Sequence, residues 1–593
     1  MASSMRFAML TLVLIALFVL SDQFSTMSPA AAQEGTTSSD AVTSLTERPF
    51  QLPFAQPPGP DTWLMAQPYG STTGAYRQRF TTYGASGGIH FGVDLSAPCG
   101  TEIVAVADGV VFAVDGPFGS PPHNLMIDHP QFGYASMYGH LLEAPKLIPG
   151  QQVKQGQVIA LSGDSRETCN SRPHLHLEIR DLAYHFRKYN PTLLIEANWD
   201  NLSLIGSSGR DFARDLDEPR KWQSIYDQPE VQTGGPIVND FANPWPPDWE
   251  KGVSWNTTAV KSVGLTAHVV SLTAAPATSA VAAGRQITTG NCCTNLAWSK
   301  DSRQVRFIDQ PTIDMPLGIW GVNVTQSLPR TEFVSGWLGY TSPDETLVAY
   351  PDLRKEVTVI ERLADGQTWE IDTQGRNINF TPDGQHITWT IFDEDAPSDT
   401  RTETFWVADT DGRNARVLYQ AARTDVIAWL PDDKLLITRR IPRSTDQELF
   451  LVSLADGSET ELGKFPRMRG QSLSPNRRYM VYYVTFEPET DKNGMWLLDL
   501  ENPTQAPQEL PFFGTYRWRD NERLIYVHFD PAATEHNFYE YDVAAGQSRM
   551  LFSGGTGLTI ANNDWRVSPD GNKIALVAAK GTEFDGIWVL DIN

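Results

Sequence analysis

Two short patterns alternate seven times between residue 259 and Asn593, and nothing else in the chain limits its fold as much. The first is a turn followed by a strand: "WSKDSRQVRF" (298–307), "TSPDETLVAY" (341–350), "FTPDGQHITW" (380–389), "WLPDDKLLIT" (429–438), "LSPNRRYMVYY" (473–483), "WRDNERLIYV" (518–527) and "VSPDGNKIAL" (567–576). The second is a strand alone, such as "IWGVNV" (319–324), "FWVADTDG" (405–412), "MWLLDLEN" (495–502) and "IWVLDI" (587–592). The Asp or Asn of the turn recurs every 39 to 50 residues. Pro fixes φ, Asp bonds its own backbone and Gly takes φ > 0, so Pro-Asp-Gly makes a tight turn. A four-strand unit at this period is a propeller blade. Seven blades are expected, with six or eight as the alternatives.

The last copy ends the chain directly after "IWVLDI", so its blade lacks its remaining strand or strands. "AHVVSLT" (267–273) is expected to close the ring. The repeats resemble TolB-type and related WD-like propellers, a likeness that speaks to architecture and not to function. Trp320, Trp406, Trp496 and Trp588 fall at one strand position and read as core packing rather than a ligand platform.

The N-terminus carries Arg6, the apolar run "FAMLTLVLIALFVL" (7–20) and Ala30 and Ala32 in A-x-A spacing. This reads as a signal peptide over residues 1–32, cut after Ala32. The run is short for a membrane span, which needs about 20 residues. The chain is therefore expected to be exported, to an extracellular, cell-surface or periplasmic location, with no membrane span after cleavage. Net charge is −24, which disfavours a nucleic-acid partner. Residues 33–60 read as a flexible lead, 61–197 as a compact antiparallel β domain, 198–258 as a Pro- and Trp-rich linker and 259–593 as the propeller. Trp245, Trp249 and Trp255 of the linker are expected to pack on a neighbouring domain. The whole is mainly β.

Three stretches of the first domain carry chemistry. "GGIHFGVDL" (87–95) places His90 and Asp94 four apart, on one side of an extended chain. Alone, such a pair is usually structural. "RPHLHLEIR" (172–180) alternates His174, His176 and Glu178 with Leu175, Leu177 and Ile179, as a half-buried strand does. The plain reading is an edge strand with exposed histidines. Yet two of only 11 histidines lie on one strand face, a common way to build a zinc site. "MYGHL" (137–141) adds His140 at the end of a strand. Zinc hydrolysis needs three protein ligands and an open position. His90, Asp94 and one strand histidine suit the ligands, and the other strand histidine with His140 suits proton transfer and oxyanion binding. His123, His129 and His185 read as structural.

"HFGVD", "YGHL" and "PHLHLE", in that order, resemble the lysostaphin-type (LytM-like) zinc endopeptidases over roughly residues 61–197. "APCGTEIVAVADGVV" is similar to that family's strand after the Asp ligand. The resemblance implies one Zn²⁺ per chain on His90, Asp94 and His176, His140 and His174 as the catalytic pair, and peptidoglycan stem peptides or cross-bridges as substrate. All five positions are occupied. Glu178 is then placed to bond a ligating imidazole from behind, or is a solvated carboxylate. The family loop before His-x-His is rich in Gly, Ser and Thr, whereas here it reads "GDSRETCNSRPHLHLE" with Arg166, Glu167 and Arg172. Loops bearing Cys99 and Cys169 flank the metal in this match, which implies a Cys99–Cys169 disulfide, with free thiols or a Cys-ligated metal as alternatives. Cys292 and Cys293 are then adjacent partners or free. The propeller is expected to hold a protein or glycan partner or the wall. Against the enzyme stands a non-hydrolytic protein that binds the wall or activates a hydrolase. A third reading makes the propeller the main functional part.

Overall fold

A computed structural model describes residues 48–206, 223–233 and 284–592, apart from short stretches within them. The signal sequence, most of the lead, Trp245, Trp249, Trp255 and the segment 267–273 lie outside the described residues. Among the described residues, no helix is long and apolar enough to cross a membrane.

The first domain is built on strands β1 (Leu64–Gln67), β2 (Val93–Ser96), β3 (Glu102–Val104), β4 (Gly109–Val114), β5 (Leu125–His129), β6 (Tyr134–Gly139), β7 (Gln152–Val153), β8 (Val158–Leu161), β9 (His174–Asp181), β10 (Arg187–Tyr189) and β11 (Val231–Gln232). The main sheet runs β1-β2-β9-β6-β5-β4-β7, with β10 paired to β9 and β11. Its strand pairs are antiparallel. The apolar run 102–114 is divided between two sheets. Its first part pairs with β8 in a separate two-stranded sheet, and its second joins the main sheet. Leu175, Leu177 and Ile179 of β9 are fully buried with Val93, Leu95 and Tyr138. The half-buried reading of β9 needs correction, because His176, Glu178 and Arg180 on its other face are also buried. A central strand roofed by loops has two inner faces.

Seven four-stranded sheets follow, one per repeat, so the propeller has seven blades among the described residues. Six blades take their strands in chain order. The seventh is completed by Gly284–Gln286, which pairs antiparallel with Trp588–Leu590. The start of the ring is thus bonded to its end. The repeated turn has a device that the sequence reading passed over. In five blades a Ser or Thr two residues ahead of the Asp or Asn donates to that side chain: Ser299 to Asp301, Ser342 to Asp344, Thr381 to Asp383, Ser474 to Asn476 and Ser568 to Asp570, at 2.5–2.7 Å. The same hydroxyl accepts from the backbone N–H five residues later, at 2.9–3.0 Å, and so aims the next strand. Trp320 and Trp588 are buried, and Trp406 and Trp496 pack half-buried against blade cores.

The first domain sits on the propeller face formed by the starts of first strands and the ends of second strands. Leu204 joins an apolar cluster with Ile525, Phe538 and Trp565, while Leu64 and Ile205 join one with Leu524 and Tyr526. The short helix Trp199–Leu202, at the start of the segment read as linker, carries the polar contacts. Ile560 N donates to Nδ1 of buried His536, so Nε2 of that ring donates to Asn201 Oδ1 at 2.8 Å. Asn201 Nδ2 donates to Ala533 O at 2.8 Å, and Asn562 N donates to Asp200 Oδ1 at 3.1 Å. Burial raises the Asp200 carboxyl to about 7. The folded chain holds this proton to about pH 7 and the unfolded chain to about pH 4. Folding therefore takes up a proton in that window, and stability falls as pH rises through it. Asp200→Asn keeps the acceptor and removes the charge. It is expected to stabilise the protein at pH 8 by on the order of 2–4 kcal/mol and to flatten the pH dependence between 4 and 7, read as melting temperature against pH.

Candidate metal centre

Strand register assembles the site. β2 pairs with β9 so that Asp94 lies opposite His176 and Ser96 opposite His174. β6 pairs on the other side of β9, with Gly139 opposite His176. His140 follows at φ 57° and turns its ring back over the sheet. Two glycines are required by contact. A Cβ at Gly92 would stand 2.4 Å from Leu177 O, and one at Gly139 would stand 2.2 Å from Ser120 Cβ.

His90 Nε2, His176 Nδ1 and Asp94 Oδ1 converge. His90 Nε2 is 3.1 Å from both Asp94 Oδ1 and His176 Nδ1, and His176 Nδ1 is 2.8 Å from Asp94 Oδ1. The far nitrogen of each ring has its own oxygen. His90 Nδ1 donates to Pro68 O at 2.9 Å, and His176 Nε2 donates to Glu178 Oε1 at 3.1 Å. With those protons placed, three lone-pair atoms face one another. That arrangement needs a positive charge between them, and two imidazoles with a carboxylate are a zinc donor set. In the metal-free protein a proton can meet part of this need. Burial works against charging His176, but its bonds to Asp94 and Glu178 win and raise it to about 9. Burial also opposes ionisation of Asp94, yet the surrounding histidines hold it well below the usual carboxylate range.

His140 and His174 flank this group. Their ring centroids are 4.8 Å apart, and His140 is 5.8 Å from His176. His140 Nδ1 donates to Pro121 O at 2.6 Å and His174 Nδ1 donates to Arg172 O at 2.8 Å, so each ring keeps Nε2 for the site. His174 Nε2 is 3.9 Å from Asp94 Oδ2. Burial and the two neighbouring imidazoles push His140 down to about 3, which leaves it neutral near pH 7.

Sequence reasoning missed the next layer outward. Arg180 Nε donates to Glu178 Oε2 at 2.7 Å, and its other nitrogens donate to Phe118 O and His185 O. The signal was present, since Arg180 continues the alternation of His174, His176 and Glu178. Burial opposes the Glu178 charge, but Arg180 and His176 together pull its pKa to about 2. Tyr83 sets its edge against the His90 ring at 5.9 Å. The other histidines bond elsewhere: His123 to Asp115, His129 to Asp108 O and Ser136, and His185 to Asp128. A disulfide joins Cys99, after β2, to Cys169, before β9. Cys292 and Cys293 are bonded to each other beside Asp309, and a disulfide offers no thiolate to a metal.

Residues 88–191 match Peptidase family M23. This segment is an M23 peptidase domain. It contains every residue of the donor group, of the flanking histidines and of the Glu178–Arg180 layer, whereas Pro68, Tyr83 and the Cys292–Cys293 pair with Asp309 lie outside it. An uncharacterized metalloprotease of Haemophilus influenzae is 39% identical over 89 residues, 15% of this chain and 18% of that protein. The murein hydrolase activator NlpD of Escherichia coli is 38% identical over 111 residues, 18% of this chain and 27% of that one. The uncharacterized lipoprotein YgeR of Escherichia coli is 33% identical over 135 residues, 23% of this chain and 49% of that one. The chain thus spans between about a fifth and a half of the length of these relatives.

Glu178→Gln leaves the donor triad intact and weakens the bond behind His176. Zinc affinity, measured by competition with a chromogenic chelator, is expected to fall about 10- to 100-fold, while His90→Ala should abolish stoichiometric binding.

Proposed function

We propose that the chain is an exported zinc metalloendopeptidase that cleaves peptide bonds in peptidoglycan stem peptides or cross-bridges. The observation that carries this is the convergence of the His90, Asp94 and His176 lone pairs beside two neighbouring imidazoles whose Nδ1 atoms are each engaged by a backbone carbonyl. One Zn²⁺, held by those three residues, supplies Lewis acidity and lowers the pKa of water from 15.7 toward about 7. His140 Nε2 takes the proton from the attacking water and returns it to the leaving amine. His174, beside it, donates from Nε2 to the oxygen on which charge develops once that nitrogen also carries a proton, because its Nδ1–H is already given to Arg172 O. Glu178 and Arg180 hold His176 in the tautomer that keeps Nδ1 toward the metal. The relative named as a lipoprotein supports a place in the cell envelope. The propeller, in this reading, holds a partner, a glycan or the wall.

A second reading has its own support, because one relative is named as an activator of murein hydrolases. In it the same groove grips a wall peptide without cutting it.

The two readings part on one experiment. Residues 33–593, loaded with one zinc equivalent, are incubated with peptidoglycan from several wall types, and fragments are read by mass spectrometry. New peptide termini are expected from the native chain. His140→Ala should release at least about 100-fold less while retaining zinc. Absence of cleavage by a zinc-loaded native chain on every wall favours the activator.

A further inference from the structure

We propose that the Cys99–Cys169 disulfide is a redox-sensitive clamp that positions His174, so that a dithiol which opens it slows cleavage while the metal site stays whole. This rests on the hydrolase reading above.

The clamp joins the two loops that bracket the donor strands. Cys99 follows β2, which carries Asp94, and Cys169 precedes β9, which carries His174 and His176. The Cys99 side is anchored. Ser162, just past β8, is buried and donates from Oγ to Pro98 O at 2.7 Å. The same oxygen accepts from Thr101 N at 3.0 Å. Ser162 O accepts from Gly100 N at 2.8 Å, and Ser162 N donates to Thr101 O at 2.9 Å. One residue thus holds the whole turn that contains Cys99.

The next residue ties this turn to both flanking histidines. Gly163 N donates to His140 O and His174 N donates to Gly163 O, each at 2.9 Å. No side chain fits there, because a Cβ at Gly163 would stand 2.6 Å from Leu141 C and Leu142 N. The backbones of His140 and His174 therefore share one tight link. Their rings do not share it. The His140 ring is held by Pro121 O, whereas the His174 ring is held by Arg172 O at 2.8 Å. Arg172 follows Cys169 closely in the chain. Cys169 N donates to Asp164 Oδ2, and its sulfur is bonded to Cys99. The hydrogen bond that also crosses here, from Ala97 N to Pro173 O, is long at 3.4 Å. The disulfide is thus the covalent tie between the anchored turn and the stretch whose carbonyl aims the His174 imidazole. The metal donors do not need it. Asp94 and His176 are set by the β2–β9 register, which Val93, Leu95, Leu175 and Leu177 hold from the core.

Exposure makes the clamp reducible. Cys99 is exposed and Cys169 half-buried, whereas Cys292 and Cys293 are buried. A thiolate of the dithiol attacks Cys99 Sγ to form a mixed disulfide, and Cys169 leaves with the S–S electron pair and takes up a proton. The second thiolate closes the reductant's own disulfide and releases Cys99, which is protonated in turn. Two electrons and two protons have then passed from the dithiol to the protein. Plain stabilisation is the simpler role, since a cross-link over 70 residues also restrains the unfolded chain. That role predicts a lower melting temperature. It does not predict a rate loss confined to the His174 side of the site.

The test uses residues 33–593, oxidised or reduced with dithiothreitol, then freed of reductant under nitrogen and loaded with one zinc equivalent. Alkylation mapped by mass spectrometry reports which cysteines are open. On dye-labelled peptidoglycan, well below the melting temperature, reduction should lower the rate at saturating wall about 10- to 100-fold. The half-saturating wall concentration and the zinc content should hold, and reoxidation should restore the rate. Amide exchange should quicken in peptides spanning 162–174 and stay slow in 134–139 and 175–181. Cys99→Ser with Cys169→Ser should match the reduced chain and ignore the dithiol, which separates this pair from Cys292–Cys293. If that variant fails to fold, the reduced native chain carries the comparison. An undiminished rate with the pair open overturns the proposal, as does unchanged exchange. So does a rate loss that comes with zinc loss or with fast exchange throughout the sheet. An oxidised chain that cleaves no wall but shows the local change in exchange keeps the clamp and loses the hydrolase. A chain that cleaves equally well in both forms keeps the hydrolase and loses the clamp.

Discussion

The pairing of β2 with β9 is the contact on which the site depends. It sets Asp94 beside His176 across 82 residues of sequence, and a slip by one residue would turn every donor to the wrong face. Apolar burial holds that register. Val93 and Leu95 on one strand and Leu175, Leu177 and Ile179 on the other go into a single core. The donors ride on the opposite face and inherit their positions from it. Gly92 and Gly139 belong to the same constraint, since each lies where a Cβ would strike the neighbouring chain.

The propeller solves a different problem with local means. In five blades the turn settles its own backbone through a Ser or Thr hydroxyl and an Asp or Asn, and among the described residues Gly284–Gln286, continued by Ile287 and Thr288, bonds the start of the ring to its end. A ring closed in this way offers rigid loops on one face. The M23 domain uses them through Asn201, His536, Asp200 and Asn562, a buried network in which each named group has a partner. Satisfied polar contacts in a low-dielectric junction fix orientation more sharply than apolar contact does. The candidate metal site is therefore presented at a set distance from blade loops far away in sequence.

What could be read from the sequence follows from this division. Local patterns were legible. The alternation in 172–180, the H-x-x-x-D spacing and the turn repeat each lie within a dozen residues, and they placed the convergent side chains and the blade count. Contacts between distant segments were not. Nothing near Asn201 announces Ala533 or His536, which lie 332 and 335 residues away. The closing strand is three residues long and has no apolar pattern, so the more hydrophobic 267–273 drew the assignment instead. The break within 102–114 was hidden for another reason. Asp108-Gly109 interrupts a run whose two halves are equally apolar but belong to different sheets.

The most consequential of the unread contacts is Arg180. Glu178 lies two residues from a ligand candidate on the same strand face, and it meets that ring at Nε2 while Nδ1 faces His90 and Asp94. Arg180 fixes it there. It takes Oε2 of Glu178 at 2.7 Å, and its own far nitrogens are tied to Phe118 O and His185 O. Only Oε1 is left, and that oxygen accepts from His176 Nε2. The carboxylate is thus committed on both oxygens, and the donor set stays at three. A closed four-ligand set makes a structural zinc site, whereas three ligands leave the position that a substrate or water needs. One buried arginine, fastened to two backbone carbonyls, thus holds the carboxylate that backs His176.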